Sequence, residues 1–177
     1  DYAAQVTEDT RVATIIQTSP VTGMAVDVAA VAKAIRERAP ECFIIVDSIQ
    51  HAAHGVMDMD ACGVDACALS GYKVFSRHNY GVAWVSPRLS TLPHEKLDGT
   101  ADDFWELGTR DTGAFATVSE VVNYLDWLGS ELGNEPDRRR RLEQAGRAMA
   151  AQEAHLVDVA INGADGQAGI RLSLIHI

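Results

Sequence analysis

Short apolar runs, separated by helical and turn-forming stretches, set the rhythm of the first half of the chain. Val12-Ala-Thr-Ile-Ile-Gln-Thr18 is rich in β-branched residues and stops at the turn residues Ser19-Pro20, which predicts a buried strand. From Val26 the period changes: Val28, Val31, Ala32 and Ile35 share one face at helical spacing, and Pro40 stands just past the end. Phe43 to Val46 predicts a second buried strand, closed by Asp47. Gln50 to Ala53 suits a turn of helix, and Asp58 to Gly63 a short connector. Ala66 to Leu69 is a third strand and Gly81-Val-Ala-Trp-Val85 a fourth, stopped by Pro87.

Beyond residue 90 the pattern changes. Thr91 to Asp111 is polar and loop-like, whereas Val118, Val121, Val122, Leu125 and Leu128 form one stripe of a helix over 114–128. Gly133-Asn-Glu-Pro136 punctuates the chain before a long helix over about 137–159. Strands alternating with helices predict an α/β fold with a mostly parallel sheet, flanking helices and right-handed crossovers. This pattern divides the chain into a large domain over 1–132 and a connecting helix that leads into a second domain over 133–171.

Composition narrows the partners. A formal charge of −10 argues against a nucleic-acid or anionic-membrane surface, and 47% hydrophobic residues suffice for a core. Arg138 to Arg141 precede Leu142, Ala145 and Met149 at helical spacing, so they read as the solvated start of an amphipathic helix. No apolar run approaches the roughly 20 residues of a membrane span, and no signal peptide is visible, so the expected location is cytoplasmic. Cys42, Cys62 and Cys67 form neither a disulfide framework nor a zinc pattern and read as small buried residues.

The chemistry gathers at Asp47 and Lys73. Each stands at or just past the carboxyl end of a β-like run, where open α/β sheets place their ligand crevice. An amine and an acid in one crevice are what pyridoxal 5'-phosphate needs: the lysine bonds to its aldehyde, and the carboxylate keeps the pyridine nitrogen protonated. An aspartate at a strand end also serves as a cap or turn former, and Ser70-Gly71 also suits a plain turn.

V-D-S-I-Q over 46–50, G-V-D-A-C-A-L-S-G-Y-K over 63–73 and W-E-L-G-T-R-D over 105–111 follow one another in an order and spacing that resemble the class V aminotransferase family of fold-type I pyridoxal phosphate enzymes. That family includes cysteine desulfurases, selenocysteine lyases and isopenicillin epimerase-like proteins. The resemblance spans about Thr10 to Arg171 and implies the large domain of a pyridoxal phosphate-dependent transferase, incomplete in this chain. By position, Lys73 resembles the Schiff-base lysine and Asp47 the partner of the pyridine nitrogen. Gln50 falls on a hydrogen bond to the ring's phenolic oxygen, and Ser70 on a phosphate ligand. Thr109 resembles the threonine that reaches the phosphate of a neighbouring subunit's cofactor, which implies a homodimer with shared sites. Tyr72 stands where desulfurases usually carry histidine, and its hydroxyl can still donate to phosphate. Ser19-Pro-Val-Thr-Gly23 replaces a Ser-Asn-x-x-Gly motif, and Ser76-Arg-His-Asn79 replaces a Gly-Pro-x-Gly stretch. Thr18-Ser-Pro and Gly-Thr-Arg-Asp111 resemble the epimerase-like branch instead.

Arg77, His78 and Arg110 read as exposed loop cations, and His54 as structural. The resemblance implies an enzyme acting at Cα or Cβ of an amino-acid substrate, of the cysteine desulfurase or C–S lyase type. An epimerase or aminotransferase on the same scaffold is the alternative, and a non-catalytic α/β binding module the alternative of another class. In the family, desulfurases need a nucleophilic cysteine on a mobile C-terminal loop, and most members need an arginine there. Ile161-Asn-Gly to Ile170-Arg171 resembles the entry to that region. Leu172-Ser-Leu-Ile-His-Ile177 matches the in-frame translation of a transposon-based sequencing adapter, so the expectation is an internal piece of a longer protein, inactive by itself.

Overall fold

The computed structural model describes residues 2–108 and 111–170; Asp1, Thr109, Arg110 and residues 171–177 lie outside the described residues. The chain forms two compact units, Asp1–Ala53 with Met57–Val122, and His54–Val56 with Asn123–Ile177.

The first unit is built on a four-stranded sheet of β1 (Val12–Ile16), β2 (Phe43–Asp47), β3 (Ala66–Ser70) and β4 (Gly81–Val85), in that spatial order. The first three strands are parallel and β4 runs antiparallel to β3. The expected α/β class with a mostly parallel sheet is therefore present. The connection from β3 to β4 spans only Gly71 to Tyr80, too short for a parallel crossover, which takes about a dozen residues or more.

Helices α1 (Tyr2–Gln5), α2 (Val28–Arg38), α3 (Met59–Cys62) and α4 (Pro87–Ser90) belong to this unit, as does the first part of α5 (Thr112–Glu131). Helix α2 begins where Asp27 accepts from the Ala30 N–H at 3.0 Å, a cap of about 1 kcal/mol. It ends at Ala39, before Pro40. Val28, Ala32 and Ile35 are buried and Val31 packs beside them, as their spacing predicts. Against this face lie Ile15, Ile44, Val46 and Cys67 from the strands, with Met59 and Val64. Ile15, Ile35, Ile44 and Val46 are fully buried, and each contributes about 1.5–3 kcal/mol of transfer free energy.

Two expectations are corrected. Strand β1 stops at Ile16 rather than Thr18, because Gln17 turns its side chain inward to accept from the Ser48 hydroxyl at 2.6 Å, and Thr18 bridges to Ala25. Cys62 is half-exposed, because α3 is a single turn between the Asp58 cap and a left-handed Gly63; Cys42 and Cys67 are buried.

At the amino-terminal end of β3, Asp65 is 2% exposed. It accepts from the Ile44 N–H at 2.9 Å, from Arg36 Nη2 at 2.7 Å and from Arg88 Nη1 at 3.3 Å. The two arginines also donate to the carbonyls of Gly63, Pro40, Glu41 and Cys42. Arg88 lies 4.2 Å from the centroid of the Phe43 ring. One carboxylate thus ties together α2, β2, β3 and α4.

The second unit holds the remainder of α5, α6 (Arg138–Asn162) and a small hairpin of β5 (Gly163–Ala164) and β6 (Gln167–Ala168). Asp137 caps α6 by accepting from the Arg140 N–H at 2.9 Å. The basic run at its start is exposed or ion-paired: Arg141 donates to Asp126 at 2.5 Å and Arg139 to Glu143 at 2.8 Å. Gly129 lies against the backbone of Arg141, where a β-carbon would clash.

Candidate active site at the carboxyl ends of the strands

Alternation along the strands separates the two faces of the sheet. While Ile15, Ile44, Val46 and Cys67 enter the core, Ile16, Asp47, Ala68 and Ala83 form one cross-strand row on the opposite face. Asp47 ends β2 and Ser70 ends β3 on that same face, one pleat beyond Ala68. Strand spacing and rise put their backbones within roughly 10 Å. Asp47 is exposed, and its Oδ1 accepts from the Ile49 N–H at 3.0 Å. Ala68, also exposed, leaves only a methyl group beside it.

Beyond Ser70 the chain makes one 3-10 turn, Gly71–Val74, which carries Tyr72 and Lys73. Ser70 occupies the cap position of this turn, yet its hydroxyl makes no capping bond. Gly71 is buried against the Tyr80 ring, which a β-carbon would strike, and its N–H donates to the Tyr80 carbonyl at 3.1 Å. The Ser76 N–H returns to the Gly71 carbonyl at 3.1 Å. Phe75 and Asn79 adopt left-handed backbone at φ 65° and 71°, a conformation uncommon for residues other than glycine. Arg77 is ion-paired with Asp111, and this bond holds the Asp111 carboxyl below the usual carboxylate range. Lys73 Nζ lies 5.7 Å from the Tyr72 ring centroid, and His78 stacks on Tyr72 at 4.6 Å.

Gln50 is half-buried in the turn after β2. That turn is fixed by His51 and Ala52 N–H bonds to the Ser48 carbonyl, and by a 3.1 Å contact between Thr18 Oγ1 and His51 Nδ1. The structure therefore gathers Asp47, Gln50, Ser70, Tyr72 and Lys73 at one end of the sheet. Thr109 lies outside the described residues. His54 pairs with Glu153 at 2.8 Å within the second unit.

Sequence reasoning missed two groups: His78, which it left among the loop cations, and the buried chain Cys67–Ser48–Gln17. In that chain the thiol donates to Ser48 Oγ at 3.2 Å and Ser48 donates to Gln17 at 2.6 Å. Polar residues placed directly after or within apolar runs were the available signal. Burial pushes all three thiols up: Cys67 against the relief of its Ser48 bond, and Cys62 with added repulsion from Asp58. Little thiolate is then present at neutral pH. Iodoacetamide at pH 7.5 is expected to label Cys62 first and Cys42 and Cys67 slowly, by peptide mass spectrometry. Rapid labelling of Cys67 would contradict its burial.

The class V aminotransferase profile matches residues 1–131. The chain belongs to the class V aminotransferase family. Members of this family, cysteine desulfurases among them, are pyridoxal phosphate-dependent enzymes. A probable cysteine desulfurase of Aeropyrum pernix is 34% identical over 145 residues, covering 71% of this chain and 35% of the relative. One of Mycoplasma genitalium is 29% identical over 94 residues, covering 52% of this chain and 23% of the relative. The chain thus spans about a third or less of the length of these curated relatives. The apo cysteine desulfurase of Thermococcus onnurineus superposes with a TM-score of 0.67 at 17% identity, covering 96% of this chain and 43% of that one. The fold is that of these enzymes, as an incomplete large domain.

The residues at the strand ends fit the family's cofactor in kind. They offer an amine, a carboxylate, the Ser70 hydroxyl free of capping duty, and a small residue, Ala68, beside the acid on an open face.

Proposed function

We propose that the protein is a pyridoxal phosphate-dependent enzyme of the cysteine desulfurase or C–S lyase type, acting at Cα or Cβ of an amino-acid substrate, with Lys73 as its catalytic residue. One observation carries the proposal: Asp47 and Ser70 end adjacent parallel strands on the same face, and Lys73 follows in the turn directly beyond Ser70. Similarity to probable cysteine desulfurases favours desulfuration among the family's reactions.

When bound, pyridoxal phosphate supplies an aldehyde for the lysine and an electron-accepting ring. In this reading Lys73 would hold the cofactor through its amine and would be the group that accepts and returns the Cα proton. Asp47, with one oxygen fixed by the Ile49 N–H, presents its charge to the ring nitrogen and keeps that nitrogen protonated. Gln50 donates to the phenolic oxygen. Ser70 and Tyr72 bind phosphate with their hydroxyls, joined by Thr109 from a second subunit of a cytoplasmic homodimer. Residues 1–132 belong in this scheme to the cofactor-binding large domain, and 133–171 lead to the substrate-closing one.

Mixing the full-length protein with pyridoxal phosphate is expected to give the visible absorption of lysine-linked cofactor. Adding L-cysteine with excess dithiothreitol should then give alanine, the S(0) sulfur being reduced to sulfide as the dithiol is oxidised to its disulfide; a C–S lyase would instead give sulfide, pyruvate and ammonia without a reductant. A second reading, an epimerase or aminotransferase, is favoured by Thr18-Ser-Pro20 and Gly108-Thr-Arg-Asp111, which resemble the epimerase-like branch. It predicts a racemised or keto-acid product instead. Lack of the visible band would leave the non-catalytic binding module as the surviving account.

A further inference from the structure

Tyr72 is 44% exposed. His78 stacks on it, its imidazole parallel to the phenol at 4.6 Å with 13° between the planes. The same phenol is the ring near which the Lys73 ammonium lies, 5.7 Å from its centroid. His78 reaches this place because the segment between them is closed on itself. The Gly71 N–H bonds to the Tyr80 carbonyl and the Ser76 N–H to the Gly71 carbonyl. Tyr80 also donates to the Ser76 hydroxyl, and Arg77 is anchored on Asp111 with its guanidinium 5.6 Å from the Tyr80 ring centroid. Two residues in left-handed backbone, Phe75 and Asn79, bracket this closed turn and bring its tip back over Tyr72.

We infer that His78 is a positioning residue for Lys73: by stacking on Tyr72 it fixes the aromatic face beside which the lysine amine rests. A lysine side chain has four rotatable bonds and loses much of its rotamer freedom when ordered. A ring face already held by a second aromatic partner restrains the amine through its quadrupole without consuming a hydrogen bond. The amine then waits near the strand ends, free of any carboxylate partner among the described residues. The functional meaning of this restraint rests on Lys73 being the cofactor lysine; the restraint itself does not.

The chain has three lysines, Lys33, Lys73 and Lys96, which makes a direct test possible. The full chain, without cofactor, is acetylated briefly with an N-hydroxysuccinimide ester and each lysine is quantified by peptide mass spectrometry. Lys33 and Lys96 serve as internal references for folding. In His78→Ala the ratio of Lys73 to Lys33 acetylation is expected to rise about threefold, the size of a lost cation–π contact at an exposed site. His78→Phe keeps the stack and should keep the wild-type ratio. Tyr72→Ala should reproduce the His78→Ala ratio, and the double variant should add nothing to it.

An unchanged ratio in His78→Ala would overturn the inference. So would an effect of His78→Phe as large as that of alanine, since the imidazole nitrogens and not the stack would then be acting. Additive effects in the double variant would also reject coupling through Tyr72. A parallel titration with pyridoxal phosphate separates the two proposals. If wild type gives no visible band while the acetylation ratios behave as expected, the cofactor assignment fails and the positioning role stands.

Discussion

In the full-length protein, Lys73→Ala is expected to abolish the visible absorption of bound pyridoxal phosphate, while Lys33→Ala and Lys96→Ala leave it intact. Lys33 is exposed on α2, and Lys96 is ion-paired with Asp102 in the loop after α4. Neither is at the carboxyl ends of the strands, so neither can substitute in place. Turnover of amino acid should fall by about 10²–10⁴-fold, the range for loss of a positioned proton-transfer group. Asp47→Asn keeps the side chain's shape and its bond from the Ile49 N–H but removes the charge. It is therefore expected to retain the band and still lose most of the turnover. Persistence of the band in Lys73→Ala would move the covalent site elsewhere. Full turnover in Asp47→Asn would deny the carboxylate its electrostatic role.

The largest effect on stability is expected at Asp65, far along the strands from the proposed site. Asp65→Ala removes the acceptor shared by the Ile44 N–H, Arg36, Arg88 and, at 3.4 Å, the Ser86 hydroxyl. Two cations would remain beside a buried gap, and breaking such a pair costs about 3–5 kcal/mol. Because both arginines keep carbonyl acceptors at Gly63, Cys42 and Glu41, the lower end of that range is expected. Urea unfolding should show the loss as a lower midpoint at an unchanged slope. Asp65→Asn should fall between wild type and alanine, since the amide oxygen still accepts from Ile44. A change below about 1 kcal/mol in Asp65→Ala would place this cluster among ordinary surface ion pairs.

The strands were legible because their apolar residues run contiguously, β-branched in β1 and β2, and α2 because its apolar stripe keeps a strict helical spacing. The direction of β4 was also readable in principle. Gly71 to Tyr80 cannot hold a crossover, but the apolar pattern alone carries no direction. Partnerships across long separations were not legible. Arg36 and Arg88 stand 29 and 23 positions from Asp65, and a charged residue on an amphipathic helix looks the same whether it faces water or a buried acid. At the candidate site, motif order singled out Asp47, Gln50, Ser70, Tyr72 and Lys73 as candidates, and the β2–β3 register explains why the blocks over 46–50 and 63–73 come to one end of the sheet. His78 escaped notice because its part depends on the left-handed backbone of Phe75 and Asn79, which neither residue type advertises.

The Asp65 clasp has a mechanical consequence. It fastens the parallel strands at their amino-terminal ends, whereas the carboxyl-terminal ends carry one exposed acid, small residues and a closed turn. Beneath that face the carboxyl ends are tied as well: the Gln17 N–H donates to the Asp47 carbonyl at 2.9 Å, the Ser48 N–H to the Ala68 carbonyl at 3.0 Å, and the Cys67–Ser48–Gln17 chain joins the three strands through their side chains. The parallel strands are thus clamped at both ends, and the groups on the open face stand on a stiff plate whose spacing is set before anything binds.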